Sequence, residues 1–151
     1  MIRVELQVLI GRPPADVFAH ITRVESYPDW QRGAGITRVV REEADPLVPG
    51  SRFVMDRVTR GNAGRVLCTV TASDPGRRFA FRSTDSAGFE AEVDTLLVPE
   101  GPATRLVWRF AMTTPGMLRF LGSVVAGEVR KAATADLETL KRMLEEVAAE
   151  G

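Results

Sequence analysis

Between residues 36 and 113 one arrangement recurs six times: a strand-length segment of alternating character, then a short group of turn formers. The segments fall near 36–43, 52–60, 65–73, 78–83, 89–98 and 104–113. Their separators run from Asp45-Pro46 through Pro49-Gly50, then Gly61-Asn62, Asp74-Pro75-Gly76, Ser86 to Gly88, and Pro99 to Pro102. All carry residues that favour turns for steric or hydrogen-bonding reasons. Spacing this regular predicts a strongly curved antiparallel sheet. A further strand opens the chain, where Ile2, Val4, Leu6, Val8 and Ile10 alternate with Arg3, Glu5 and Gln7 and so give one buried face.

Gly11 and Pro13-Pro14 stop that first strand. Proline suits a first helical turn, because the N–H it lacks would have had no partner there, and a short helix is expected over 14–22. Tyr27-Pro28-Asp29-Trp30 suggests a second short helix or turn, the two forming a helical hairpin. After the last strand, Thr114 as cap and Pro115 as first residue open a long helix. Its apolar residues Leu118, Leu121, Val125, Val129, Leu137, Leu140, Leu144 and Val147 recur at helical spacing on one face. A helix of roughly 33 residues would run about 50 Å and cross the whole concave face of such a sheet. Gly122 and Gly127 interrupt its first half, either as a kink or as space where a ligand meets the backbone.

A chain of 151 residues suits one domain with a continuous core. Basic and acidic residues number 20 each, so the long-range attraction that draws basic proteins to phosphate backbones is missing and nucleic acid is not an expected partner. The lone Cys68 has no internal disulfide partner, and the N-terminus alternates Arg3 and Glu5 with apolar residues instead of showing a secretory leader; the expected compartment is the cytoplasm. No apolar run approaches the roughly 20 residues that span a bilayer. One histidine and one cysteine cannot supply the nitrogen and sulfur ligands of a typical zinc site, and neither a phosphate-cradling glycine motif nor a nucleophile turn is present; no metal and no cofactor are expected.

Alternation assigns the two faces of the sheet. Leu106, Trp108, Phe110 and Met112 share a face opposite Arg105, Val107 and Arg109. Phe89, Ala91, Val93, Thr95 and Leu97 oppose Glu90, Glu92 and Asp94, whose carboxylates are expected to pair with Arg105 and Arg109 on the outer surface. Phe79 and Phe81 face together, as do Val66, Cys68, Val70 and Ala72. The third strand leaves two registers open. If Phe53 and Met55 point inward, so do Arg57 and Thr59, and a guanidinium in apolar surroundings needs an acceptor such as an anionic or ketonic ligand group. In the other register Val54, Asp56 and Val58 are inside, Arg57 is solvated and Asp56 is the buried ionisable group. His20 is the only side chain whose ordinary pKa lies near neutrality, so acid–base chemistry would look to it first; its place late in a short helix also suits a partly buried residue bonded to nearby backbone.

These elements together carry a resemblance. With Val17-Phe18 and Tyr27-Pro28-Asp29-Trp30 in the helical hairpin and Asp74-Pro75-Gly76-Arg77-Arg78-Phe79 in the meander, the chain resembles the START-like (SRPBCC) superfamily, in its polyketide cyclase/dehydrase branch, over nearly its whole length. The resemblance implies a single α+β domain over 1–151 with a helix-grip fold: a curved seven-stranded antiparallel sheet wrapped around a long C-terminal helix, with two short helices after the first strand. It also implies a deep apolar cavity between helix and sheet, where the residues of a generic domain would favour a packed core. Members use that cavity for lipids, sterols, polyketides, plant hormones and other hydrophobic ligands, and some are enzymes while many only bind or carry. The expected function is binding or transport of a small hydrophobic molecule, lipid, isoprenoid or polyketide-like. The alternative is a polyketide cyclase, aromatase or dehydratase acting on a ligand folded in the same cavity, with Arg57, His20 and Tyr27 as candidate catalytic residues. The expected lining is Trp30 from the hairpin, Phe53, Met55, Arg57, Phe81, Trp108 and Phe110 from the sheet, and Leu121 and Val125 from the helix. A homodimer is compatible with this reading.

Overall fold

The computed structural model describes residues 1–113 and 116–150. Seven strands form one antiparallel sheet: β1 (Ile2–Ile10), β2 (Ile36–Arg41), β3 (Arg52–Thr59), β4 (Asn62–Asp74), β5 (Arg78–Asp85), β6 (Glu90–Glu100) and β7 (Ala103–Thr113). Their order across the sheet is β1-β7-β6-β5-β4-β3-β2, so each strand of the meander lies beside its sequence neighbour and β1 adds to the far edge. Between β1 and β2 come α1 (Pro14–Ile21), a 3-10 turn (Val24–Ser26) and α2 (Tyr27–Trp30); after β7 a 3-10 turn (Gly116–Leu121) leads into α3 (Gly122–Glu150). This is the helix-grip architecture expected from the pattern of elements.

Pro14 occupies the first turn of α1 as expected, and Asp16 places a carboxylate in that turn, where the helix dipole favours it. The long helix starts later than expected. Thr114, Pro115 and the side chain of Leu118 lie outside the described residues, and 116–121 is wound as 3-10 helix, so the α-helical run of 29 residues rises about 44 Å from Gly122. Glycine is a poor helix interior residue and is better tolerated at an end. Gly127, by contrast, lies inside α3 with open space where a Cβ would stand.

The sheet bends by two irregularities. The register shifts between Val70 and Ala72 on β4, and between Ile36 and Arg38 on β2. An extra residue at such a bulge flips the faces that follow it. Ser73, not Ala72, thus stands opposite the buried Phe79, while Ala72 stands opposite Ala80; the expected grouping of Ala72 with Val66, Cys68 and Val70 ends at the bulge. The outer charges also pair differently from expectation. Asp94 gives both carboxylate oxygens to Arg78, at 2.9 Å each, so Arg109 turns to Glu5 across the β1–β7 ladder (2.9 Å) and Arg105 to Glu100 (2.5 Å). A bidentate fork satisfies both oxygens at once, which explains why Arg78 takes Asp94.

The two halves of α3 do different work. In the second half Leu137, Leu140 and Leu144 are buried at i, i+3 and i+7 spacing and fill the concave face with Ile10, Val17 and Leu106. Polar bonds fasten the same end: Glu145 accepts from the Gly11 amide (2.9 Å), Lys141 donates to the Leu9 carbonyl (2.8 Å), and Arg12 donates to the Leu144 carbonyl (2.8 Å). The first half carries small inward residues instead, among them Val125, Val129, Ala132 and Ala133. Volume missing there appears as a cavity.

Candidate functional site

A cavity of about 420 Å3 lies between the first half of α3 and the sheet. At liquid density that is room for about 14 water molecules, the scale of a small organic ligand. Of the residues named from the sequence, Met55, Arg57, Phe81, Trp108 and Phe110 line it from the sheet, Trp30 from α2 and Val125 from α3. Trp108 stacks on Phe110 with ring centroids 5.4 Å apart and planes 12° from parallel, giving a broad aromatic wall. Two expected residues stand elsewhere. Phe53 is 0 % exposed and packs behind the lining, edge-on to Phe81 at 5.2 Å and to Tyr27 at 6.4 Å. Leu121 ends the 3-10 turn before α3, half-buried and outside the lining.

The register of β3 is now visible. Phe53 and Met55 are buried while Val58 is exposed, so Arg57 and Thr59 share the inner face and both line the cavity. Phe53 and Met55 hide more apolar surface than Val54 and Val58 would, which favours this register. The Arg57 guanidinium is not left bare: its Nε donates to the Ala34 carbonyl at 2.8 Å. One of five guanidinium N–H donors is used in this way, and for Nη1 and Nη2 no protein acceptor is found among the described residues.

The other candidates for chemistry are placed less favourably. Tyr27 lines the cavity with its ring, but its hydroxyl is buried and donates to the Ile21 carbonyl at 3.0 Å; burial pushes its pKa far up. His20 is half-buried on α1 and outside the lining, and its Nε2 is buried with no hydrogen-bond partner among the described residues. Burial, aided by Arg23 and opposed by Asp29, holds its pKa below the ordinary value, favouring the neutral ring. Burial also pushes the Cys68 thiol up to about 12, so it remains an unreactive apolar side chain.

Thr59 and Thr95 line the cavity, as the inward register of β3 and the alternation of β6 imply. Four further polar residues of the lining were not anticipated: Ser83, Gln31, Glu128 and Asp136. Glu128 pairs with Arg60, which with Gly61 forms the two-residue turn between β3 and β4, both at positive φ. Both partners of that pair are largely exposed, so this side of the cavity meets solvent. Asp136 is different: only 6 % exposed, it accepts from the backbone amides of Gly33 (2.7 Å) and Ala34 (3.1 Å). Burial raises its pKa, opposed by those two amides. A signal for Asp136 existed in the sequence, since it interrupts the apolar stripe of Ala133, Leu137 and Leu140 with a carboxylate. Among the described residues, no group of three or more His, Cys, Asp or Glu side chains is placed to hold a metal ion, and no helix is long and apolar enough to cross a membrane.

The fold recurs in solved structures. The chain superimposes on the protein TTHA0849 of Thermus thermophilus with a TM-score of 0.78 at 21% identity, over 99% of each chain. A START superfamily protein of Mycobacterium smegmatis matches with a TM-score of 0.78 at 17% identity, covering 96% of this chain and 98% of that one. The Zhui aromatase/cyclase of Streptomyces sp. R1128 gives a TM-score of 0.75 at 18% identity, over 95% and 93%. A comparison with curated proteins finds no match. The family model described as polyketide cyclase/dehydrase and lipid transport matches residues 1–145, nearly the whole chain. With that match over nearly its whole length, the chain belongs to the polyketide cyclase/dehydrase and lipid transport family, and it shares the fold of the START superfamily protein.

Proposed function

We propose that the protein binds a small hydrophobic molecule with one anionic or ketonic end, holding its body against the aromatic wall and its polar end at Arg57. The observation that carries this reading is a cavity of about 420 Å3 lined mainly by apolar side chains, with a single guanidinium whose Nη groups lack protein acceptors among the described residues. Apolar burial at about 25 cal/mol per Å2 supplies most of the affinity, and the charge-assisted hydrogen bond fixes orientation. Lipids, isoprenoids and polyketide-like compounds all meet this description. The zero net charge argues against nucleic acid as a partner, and we place the protein in the cytoplasm.

The test is to purify the protein without detergent, record its native mass, then denature it and identify what is released by mass spectrometry. One hydrophobic compound in near-stoichiometric amount is the expected result. A protein that neither retains such a molecule nor takes one up from a panel of lipids and aromatic acids would refute the reading.

Conversion of the ligand is the second reading, and one observation favours it: Arg57, whose Nη groups lack protein acceptors among the described residues, lines the same cavity as Tyr27. A cyclase, aromatase or dehydratase would use Arg57 to meet a developing enolate, with His20 or Tyr27 moving protons. The tyrosine hydroxyl is already committed to Ile21 and the histidine stands outside the lining, which weighs toward binding alone. Turnover of a polyketide-like substrate that survives unchanged in Arg57→Ala, His20→Ala and Tyr27→Phe would exclude that mechanism.

A further inference from the structure

The loop joining α2 to β2 is held from both sides at a single residue. Ala34 donates its amide to Asp136 on α3 (3.1 Å), and its carbonyl accepts from Arg57 Nε on β3 (2.8 Å). The amide before it, Gly33, donates to the other oxygen of Asp136 at 2.7 Å. The loop leaves no slack. A Cβ on Gly33 would stand 2.7 Å from Asp136 Oδ1 and 2.8 Å from the Ala132 carbonyl oxygen. Gly35 sits at φ +78°, and a Cβ there would lie 2.2 Å from the Val58 carbonyl oxygen. Its own carbonyl accepts from the Val58 amide at 2.9 Å. Helix, loop and strand are thus joined at the cavity wall through three successive peptide groups, 32–33 and 33–34 bonded to Asp136 and 34–35 to Arg57.

We infer that Asp136 is a positioning residue for Arg57, acting through the backbone of Ala34. The inference rests on the reading of Arg57 as the group that meets the polar end of the ligand. A buried carboxylate with both oxygens on backbone amides orients those amides firmly, because each bond is charge-assisted and shielded from water. The Ala34 carbonyl lies on the next peptide group, which keeps only rotation about the Ala34 Cα–C bond once the Ala34 amide is held. The Gly35 amide, donating to the Arg32 carbonyl at 3.0 Å, closes that freedom, and the Nε edge of the guanidinium is held with it. An arginine free to swing would sample many rotamers and present its Nη groups to a ligand only part of the time. Held by one edge, it presents them continuously. Both oxygens of Asp136 are engaged by the loop, so its contribution runs through geometry.

Two fluorescent probes separate charge recognition from cavity filling: anilinonaphthalene sulfonate, and N-phenylnaphthylamine, the same ring system without the sulfonate. The ratio of their Kd values reports the sulfonate preference that Arg57 gives. Arg57→Ala is expected to lower that preference about tenfold while the neutral probe still binds. Asp136→Asn, which turns one acceptor into a donor facing a backbone N–H, is expected to lower it to a similar degree. So is Gly33→Ala, which displaces the loop without altering any charge. In the Arg57→Ala background, Asp136→Asn is expected to remove nothing further, the non-additivity of residues acting through one another. If Arg57→Ala abolishes the preference and Asp136→Asn leaves it intact, the positioning role is overturned and the ligand reading stands. If Arg57→Ala itself leaves the preference intact, the ligand reading falls and the positioning role with it. Equal loss of both probes in Asp136→Asn and Gly33→Ala would also overturn the role, since Asp136 would then hold up the cavity and not the guanidinium.

Discussion

Single side chains divide into those that hold the fold and those available to a ligand, and neighbouring aromatics fall on opposite sides. Phe53 and Trp108 are both aromatic and on inward faces, yet Phe53 is fully buried behind the lining while Trp108 lines the cavity. Phe53→Ala is therefore expected to cost about 3–5 kcal/mol in a denaturant melt, with Trp108→Ala acting mainly on ligand affinity. His20 makes a pH prediction. Its folded-state pKa lies below the ordinary value of 6.5, lowered first by burial and then by Arg23. Between the two values the unfolded chain holds more protons than the folded one. The stability this histidine allows is fully present above 6.5 and declines as pH falls toward the folded value. Glu25 and Glu145, held below 4.5 by Arg41 and Lys141, act only at lower pH. Urea midpoints measured just below pH 6.5 should therefore fall in the parent, and His20→Gln should flatten that slope.

Among the elements, the contrast between the two halves of α3 explains why the domain is hollow at one end. Leucines at 137, 140 and 144 close the packing there, and alanines and valines facing the sheet in the first half leave it open. Ala133→Leu places three more carbons in the cavity. It is expected to raise stability by about 0.5–2 kcal/mol, as cavity-filling changes commonly do, and to weaken binding of the neutral naphthylamine probe at least tenfold. A loss of stability instead would mean that the helix and sheet cannot take the added volume without strain. Much of this element was legible in the sequence, because the 3.6-residue period of Leu137, Leu140 and Leu144 fixes which side faces the sheet. The start of α3 was not, since nothing in the local sequence of 116–121 separates a 3-10 winding from the first turns of an α-helix. The outer ion pairs were foreseen by type and not by partner. Each arginine on a strand reaches several carboxylates on its neighbours, and such exposed pairs are worth only about 0–1 kcal/mol, too little to write a preference into local sequence.

For the domain taken entire, one ligand held in the cavity beneath α3 should give a simple linkage. Saturating the protein at 100 times Kd with the sulfonate probe adds about 2.7 kcal/mol, which for a domain of this size raises Tm by roughly 5–10 °C. Calorimetric titration should give one equivalent per chain. A larger stoichiometry, or no shift in Tm, would mean that the probe binds outside the cavity. Architecture and the sidedness of most elements were written into the chain locally, the exceptions being β3, with apolar residues on both faces, and β4 beyond its bulge. Strand alternation, turn chemistry and helix period are properties of short segments, and where a segment is apolar on one side only, its period states which face that is. Three things arose only on assembly: that the apolar faces leave a space instead of closing on each other, that Arg57 points into it, and that Asp136 comes to the α2–β2 loop from more than a hundred positions away. Volume between elements is set by the difference between what the sheet's curvature encloses and what the side chains fill. Neither quantity belongs to any one segment, and the bonds that order the site join residues that meet only when helix, loop and strand are all in place.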